Sequence, residues 1–371
     1  NILKEYSKWV EKTINTNEDV QFRLEEFINY KKRISELASK LYLYSELSYS
    51  VDTRNETALK YSEILQIKLS SIAKADTKIN RWIGTIRNID AVIESSEILM
   101  EHQFYINEII EKSAYLLSSK EEAVISKMRN TGSNAWSKLK DMLTSNLKVD
   151  IELDGQHKQL PLSVIRNMAY ESSREVRKKA YEAELASYQK IDDSLAACLN
   201  GIKGEVITVA EMRGFKSPLH ETLFNSRMDE QTLNSMLDAM RESLPAFRKY
   251  LRAKGQLLGS NNGLPFFDLF APLGEMNKKY SYEEAKKIIE DNFRTFSDKL
   301  ANFSKRAIDS KWIDVYPREG KVGGAFCEDL HAIGQSRIML NYGETFSDIV
   351  TMAHELGHGF HNECLMQESI L

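Results

Sequence analysis

Residues 345–364 read TFSDIVTMAHELGHGFHNEC. Apolar side chains at Ile349, Val350, Met352, Ala353 and Leu356 would bury one side of a helix. Thr345 followed by Asp348 reads as a capping box opening that helix. Inside it, His354-Glu355-Leu356-Gly357-His358 is an H-E-x-x-H motif. Positions four apart share a helix face, so both imidazoles point the same way. Two imidazoles so placed can reach one Zn²⁺ at about 2.0–2.1 Å. Glu355, next to the first histidine, can accept a proton from water activated there. The competing reading is a buried helix whose histidines merely bond to neighbours.

A working zinc site needs three protein ligands and an open position. His361 falls on the same face, but seven helical residues rise about 10.5 Å. It could join the pair only if the helix broke at Gly359, so it reads as a packing or supporting residue. Glu363 and Glu368 follow too closely and read as solvated. The longer pattern H-E-x-x-H-x-x-G-x-x-H fails, with His361 at the glycine position and Cys364 at the third histidine. The third ligand is expected from elsewhere.

Upstream, Arg318-Glu319-Gly320-Lys321-Val322-Gly323-Gly324-Ala325-Phe326-Cys327 leads into Ser336-Arg337-Ile338-Met339-Leu340-Asn341-Tyr342. Gly263 to Pro272 (GLPFFDLFAP) and Arg174 to Tyr181 (REVRKKAY) precede them. Together with the H-E-L-G-H-G-F-H run, these segments resemble oligoendopeptidase F, of the thimet-oligopeptidase-like (M3) zinc peptidases. The resemblance implies one Zn²⁺ per complete site, His354 and His358 as ligands, and Glu355 as general base. It implies short oligopeptide substrates, and a third ligand that is a glutamate on a following helix, beyond Leu371. The chain is therefore expected to be part of a longer one, truncated at both ends.

The expected fold is mainly α: elongated multi-helix domains with a small β-sheet preceding an H-E-x-x-H zinc helix, gluzincin-like. Six prolines and 17 glycines in 371 residues are few, and helical periodicity dominates. Helices are expected over 2–15, from a Thr16/Asp19 capping box to about 48, and from Thr53/Glu56 to about 74. Others cover about 76–97, 101–117, a stretch opened by Ser119 and Glu122, and 134–146. Lys148 to Leu153 alternates like a strand, Asp154-Gly155 signals a hairpin turn, and the chain returns through about Leu162. A long helical run follows over 164–212, with Arg174, Arg177, Lys178 and Lys179 read as a solvated basic face.

Residues 213–227 read as a loop, 229–258 and 281–309 as helices, and Asn261 to Gly274 as a second loop. Short strands are expected at 313–316, 324–328 and 336–341. A boundary near residue 163 separates a helical domain ending in the hairpin (1–163) from the N-terminal part of the catalytic domain (164–371). The small residues Gly323, Gly324, Ala325 and Phe326 suit a strand edge that pairs with substrate backbone, the competing reading being an ordinary hairpin.

Charged residues are 28% and the net charge is −4, so no basic face signals nucleic-acid binding. No apolar run reaches the roughly 18 residues of a membrane span. Cys198, Cys327 and Cys364 form no C-x-x-C pair and, being odd in number, no disulfide framework, which points to a cytoplasmic setting. Cys327 or Cys364 as a zinc ligand ranks below packing. The expected function is zinc-dependent endopeptidase action on oligopeptides. Two alternatives stand beside it: a helical zinc carboxypeptidase, and a non-catalytic fragment lacking the third ligand. Oligomeric state is left open.

Overall fold

The computed structural model describes residues 1–16, 19–274 and 278–371. Helices α1 (Ile2–Thr13), α2 (Val20–Val51), α3 (Glu56–Ser70), α4 (Ala73–Ile83), α5 (Ile89–Glu94), α6 (Glu97–Glu101), α7 (Gln103–Ser113), α8 (Ser119–Thr131) and α9 (Ser133–Ser145) come first. A hairpin of β1 (Lys148–Leu153) and β2 (Gln156–Pro161) follows, closed by Asp154 and Gly155 at positive φ. Then come α10 (Leu162–Asn167), α11 (Arg174–Tyr188), α12 (Asp192–Met212), α13 (Pro218–Asn225), α14 (Glu230–Leu257), α15 (Tyr282–Phe296) and α16 (Asp298–Asp309). Last are β3 (Ile313–Asp314), β4 (Phe326–Leu330), β5 (Gln335–Met339) and α17 (Phe346–Cys364). The protein is thus mainly α with a small sheet before its last helix, and no described helix is long and apolar enough to cross a membrane.

Several helix starts and stops differ from the sequence reading, each for a local reason. Asp19 alone caps α2, accepting from the Gln21 amide. Asn55, not Thr53, caps α3, because the Thr53 hydroxyl is taken by Ser145 at 2.8 Å. The S-x-x-E pattern occurs twice in register at 118–122, and the box uses Ser118 and Glu121. The Glu122 carboxylate instead receives Arg213 at 2.7 Å. The helix expected over 76–97 stops at Ile83, and Asn88 takes a left-handed conformation before α5 restarts the run at Ile89. Ser173 restarts the run expected over 164–212 by capping α11. Ser297 both ends α15 and caps α16. The loop expected over 213–227 contains α13, begun by Ser217 as cap and Pro218 in the first turn.

The core beneath the site joins α15, α16, the three-stranded sheet and α17. Strand order is β3-β5-β4, with β3 parallel and β4 antiparallel to β5. Among the described residues no strand pairs with the outer edge of β4. Ile349, Met352 and Leu356 of α17 are buried in this core, whereas Val350, expected inside, is exposed. A second core packs the hairpin on α10 and α11, and a third holds α1, α2 and α4–α7 together.

Gly359 is what lets α17 lie so close to α16. A Cβ there would come within 2.8 Å of the Phe303 ring. The helix continues through Gly359 to Cys364, so glycine here serves packing and not a break. Gly359→Ala should therefore destabilise the protein by about 1–3 kcal/mol through overpacking. Urea unfolding would show this, and an unchanged midpoint would contradict the close approach.

Candidate metal centre

Helix α17 opens with the expected capping box. The Thr345 hydroxyl accepts from the Asp348 amide, and the Asp348 carboxylate takes the Thr345 amide at 2.8 Å. With one face buried, the 3.6-residue repeat turns His354 and His358 outward, and both are exposed. Their Nε2 atoms lie 3.0 Å apart and their rings are perpendicular. Two nitrogens about 2.05 Å from one tetrahedral zinc would sit about 3.3 Å apart. The pair therefore fits as two ligands of one ion with only a slight opening. Glu355 is 6% exposed, and its charge acts on the Cys327 thiol of β4.

The remaining candidates are placed away from the pair. His361 stays on the helix beyond it, and Glu363 is held by Arg306. Cys327 is half-buried, with Asn362 Nδ2 3.9 Å from its sulfur. Burial, reinforced by the Glu355, Glu328 and Asp329 charges and opposed by a Ser336 hydrogen bond, pushes its thiol up to about 12. Cys364 is exposed at the far end of α17. Among the described residues no three His, Cys, Asp or Glu side chains gather as a metal site. Among the described residues, the two imidazoles are what this chain brings together, with Glu355 next to His354 in the sequence.

Beside α17 opens a cavity of about 730 Å³. Ser347, Asp348 and Thr351 form its edge on the helix, and Gly323, Gly324 and Ala325 lie on its wall. Phe326 does not join them. The strand begins at Phe326, two residues later than expected, and the alternation of a strand sends that ring to a different cavity against α2. Gly324 has φ 88°, so it turns the chain into β4 in a conformation that favours glycine.

Two residues of the quoted segments, given no role of their own by the sequence, fix this wall. Asn341 donates from Nδ2 to the carbonyls of Val322 at 3.0 Å and Gly324 at 2.8 Å. The Lys321 side chain is fully buried, and its ammonium donates to the Asp314 carboxylate, to Tyr316 O at 2.9 Å and to Leu340 O. Burial pushes the Lys321 ammonium below the usual lysine range, and Asp314 opposes that shift. Burial alone would raise Asp314, but hydrogen bonds from Arg318 and Lys321 hold it below the ordinary carboxylate range. The partners are mostly backbone carbonyls, which no sequence pattern announces.

The H-E-x-x-H pair faces outward from a helix backed by a small sheet, in an otherwise helical chain. The profile of Peptidase family M3 matches residues 167–368, more than half of the chain, and the chain belongs to that family. A second profile, Oligopeptidase F, matches residues 87–148. Oligopeptidase PepF of Bacillus subtilis (strain 168) is 25% identical over 347 residues, covering 91% of this chain and 51% of PepF. An oligoendopeptidase F homolog of Lactococcus lactis subsp. lactis (strain IL1403) is 24% identical over 343 residues, covering 89% and 55%. The fold is shared with a solved structure from Bacillus anthracis str. Ames assigned to oligoendopeptidase F. The TM-score is 0.76 at 17% identity, covering 99% of this chain and 66% of that one. The chain spans about half the length of the curated relatives it matches.

Lys321→Met should cost about 2–4 kcal/mol, because it leaves carbonyls and a carboxylate without their shared cation. Equilibrium unfolding checks the loss. Stability equal to the parent would mean the ammonium is not the tie between β3, β5 and the glycine turn.

Proposed function

We propose that this chain supplies the metal-binding helix of a zinc-dependent endopeptidase that hydrolyses short oligopeptides. The observation that carries the reading is the 3.0 Å approach of the His354 and His358 Nε2 atoms on the solvent face of α17. Membership of Peptidase family M3 supports it. His354 and His358 would hold the ion, with a third ligand expected as a glutamate further along the polypeptide. Zinc, when bound, supplies Lewis acidity toward the scissile carbonyl and toward water.

The chain's own groups do the rest. Glu355 takes a proton from the attacking water as its oxygen adds to the carbonyl carbon, and returns that proton to the leaving amine. Its near-complete burial limits the directions from which water can reach it. Gly323, Gly324, Ala325 and Phe326 are proposed to receive substrate backbone where the turn enters β4, whose outer edge no described strand occupies. The division into residues 1–163 and 164–371, and a reducing cytoplasmic setting, belong to the same proposal.

One observation favours a second reading, a peptide-binding piece without catalysis: no third ligand stands beside the pair among the described residues. Action as a carboxypeptidase is separated by amidating the peptide C-terminus, which an endopeptidase tolerates.

Glu355→Gln should retain bound zinc and lose about 10²–10⁴-fold in turnover of an internally quenched oligopeptide. Full activity in that variant would remove Glu355 from the mechanism.

A further inference from the structure

The wall opposite the glycine turn is built of aromatic rings. Phe266, Phe267 and Phe270, from the loop after α14, line the same 730 Å³ cavity as Gly323–Ala325, together with Tyr170 and Tyr181. Tyr170 and Phe270 have ring centroids 5.1 Å apart, and Tyr181 and Phe266 5.7 Å. Phe266 is 66% and Phe270 48% exposed. Exposing two phenylalanines on one wall is unfavourable unless something covers them.

The loop that presents them is held firmly. Asp268 is fully buried and accepts from Arg177 at 2.8 Å and Arg174 at 2.9 Å. Arg177 also donates to Glu171 O and Ser172 O, and Lys254 donates to Leu269 O at 2.7 Å. Arg174 stacks over Phe267 at 5.4 Å. The exposed rings therefore do not owe their position to a loose loop.

Charge decides what kind of side chain this wall can take. The cations around the cavity are each paired: Lys140 with Asp141, Arg166 with Glu184, Arg177 with Asp268, and Lys321 with Asp314. The Asp348 carboxylate is engaged with Thr345. No unpaired charge among these invites an ionic ligand, and the rings offer apolar area and π faces. The cavity volume lies within the roughly 300–1,000 Å³ of ordinary ligand sites.

Continuity with α17 gives the occupant. Ser347 and Thr351 edge the cavity, and the spacing 347, 351, 354, 358 keeps all four residues on one helix face. The centre of the cavity edge is about seven residues, or about 10.5 Å, up the helix from the histidine pair. An extended peptide covers that distance in about three residues. We infer that Phe266 and Phe270, with Tyr170 and Tyr181, form a specificity subsite for an aromatic or large apolar side chain of the peptide, at a position removed from the scissile bond. The inference rests on the peptidase reading above for its substrate.

The test uses the full-length protein and a set of oligopeptides that place Phe, Leu, Ala or Asp at each position in turn. Burying one aromatic side chain predicts that, at one position, Phe exceeds Ala by about tenfold or more in kcat/KM, with Asp poorest. In Phe266→Ala/Phe270→Ala that ratio should fall toward one, and Phe266→Leu/Phe270→Leu should recover part of it. A ratio unchanged in the alanine variant, or the same rate for all four residues at every position, would overturn the subsite while leaving the peptidase reading intact. Fluorescence anisotropy of labelled peptides on Glu355→Gln separates the two ideas. Aromatic-dependent binding without any cleavage by the parent upholds the subsite and sinks the peptidase reading; neither binding nor cleavage sinks both.

Discussion

Everything at this site depends on α17 having one buried face. Ile349, Met352 and Leu356 are driven against α15, α16 and the sheet by the removal of their surface from water. Each contributes about 1.5–3 kcal/mol if fully buried. Gly359 draws the helix against Phe303. Once that face is fixed, helical geometry leaves no freedom for the rest. His354 and His358 must project together on the other side, and Glu355 must lie at the boundary between core and solvent. The imidazole pair is thus a consequence of packing that lies one layer beneath it.

The glycine turn before β4 depends on a different kind of force. It has little side-chain surface to bury, so it cannot be held by hydrophobic contact. Lys321 and Asn341 hold it through carbonyl oxygens from the inside, and the Asp314 carboxylate offsets part of the cost of burying an ammonium. On the opposite wall the same logic recurs, with Asp268 between two arginines. Both sides of the cavity are therefore polar in their anchoring, and the charges around it are paired. That arrangement suits a backbone and a neutral side chain better than an ion.

The local part of this architecture was legible in the sequence. The capping box at Thr345/Asp348, the Asp154-Gly155 hairpin and the helix of the H-E-x-x-H motif are written in residues close together in the chain. What escaped is set by partners far along the chain. Thr53, read as a helix cap, is taken instead by the Ser145 hydroxyl, 92 residues away. Arg177 looked like a member of a solvated basic face, and Lys178 and Lys179 do pair with glutamates on their own helix. Arg177 instead turns inward to Asp268, 91 residues away. Val350 was expected inside because it is apolar, yet the buried stripe passes on either side of it. The pair of histidines was legible because the motif fixes its own geometry. The aromatic wall was not, because it forms only when the loop after α14 folds back onto α11.

The central claim is that His354 and His358 jointly hold one zinc. The most direct measurement is zinc content of the full-length protein after exhaustive dialysis, with His354→Ala and His358→Ala treated identically. The account predicts one zinc per chain in the parent and loss of the metal in both variants, with folding retained by circular dichroism. Zinc retained at parental levels in either variant, or none in the parent, would contradict it.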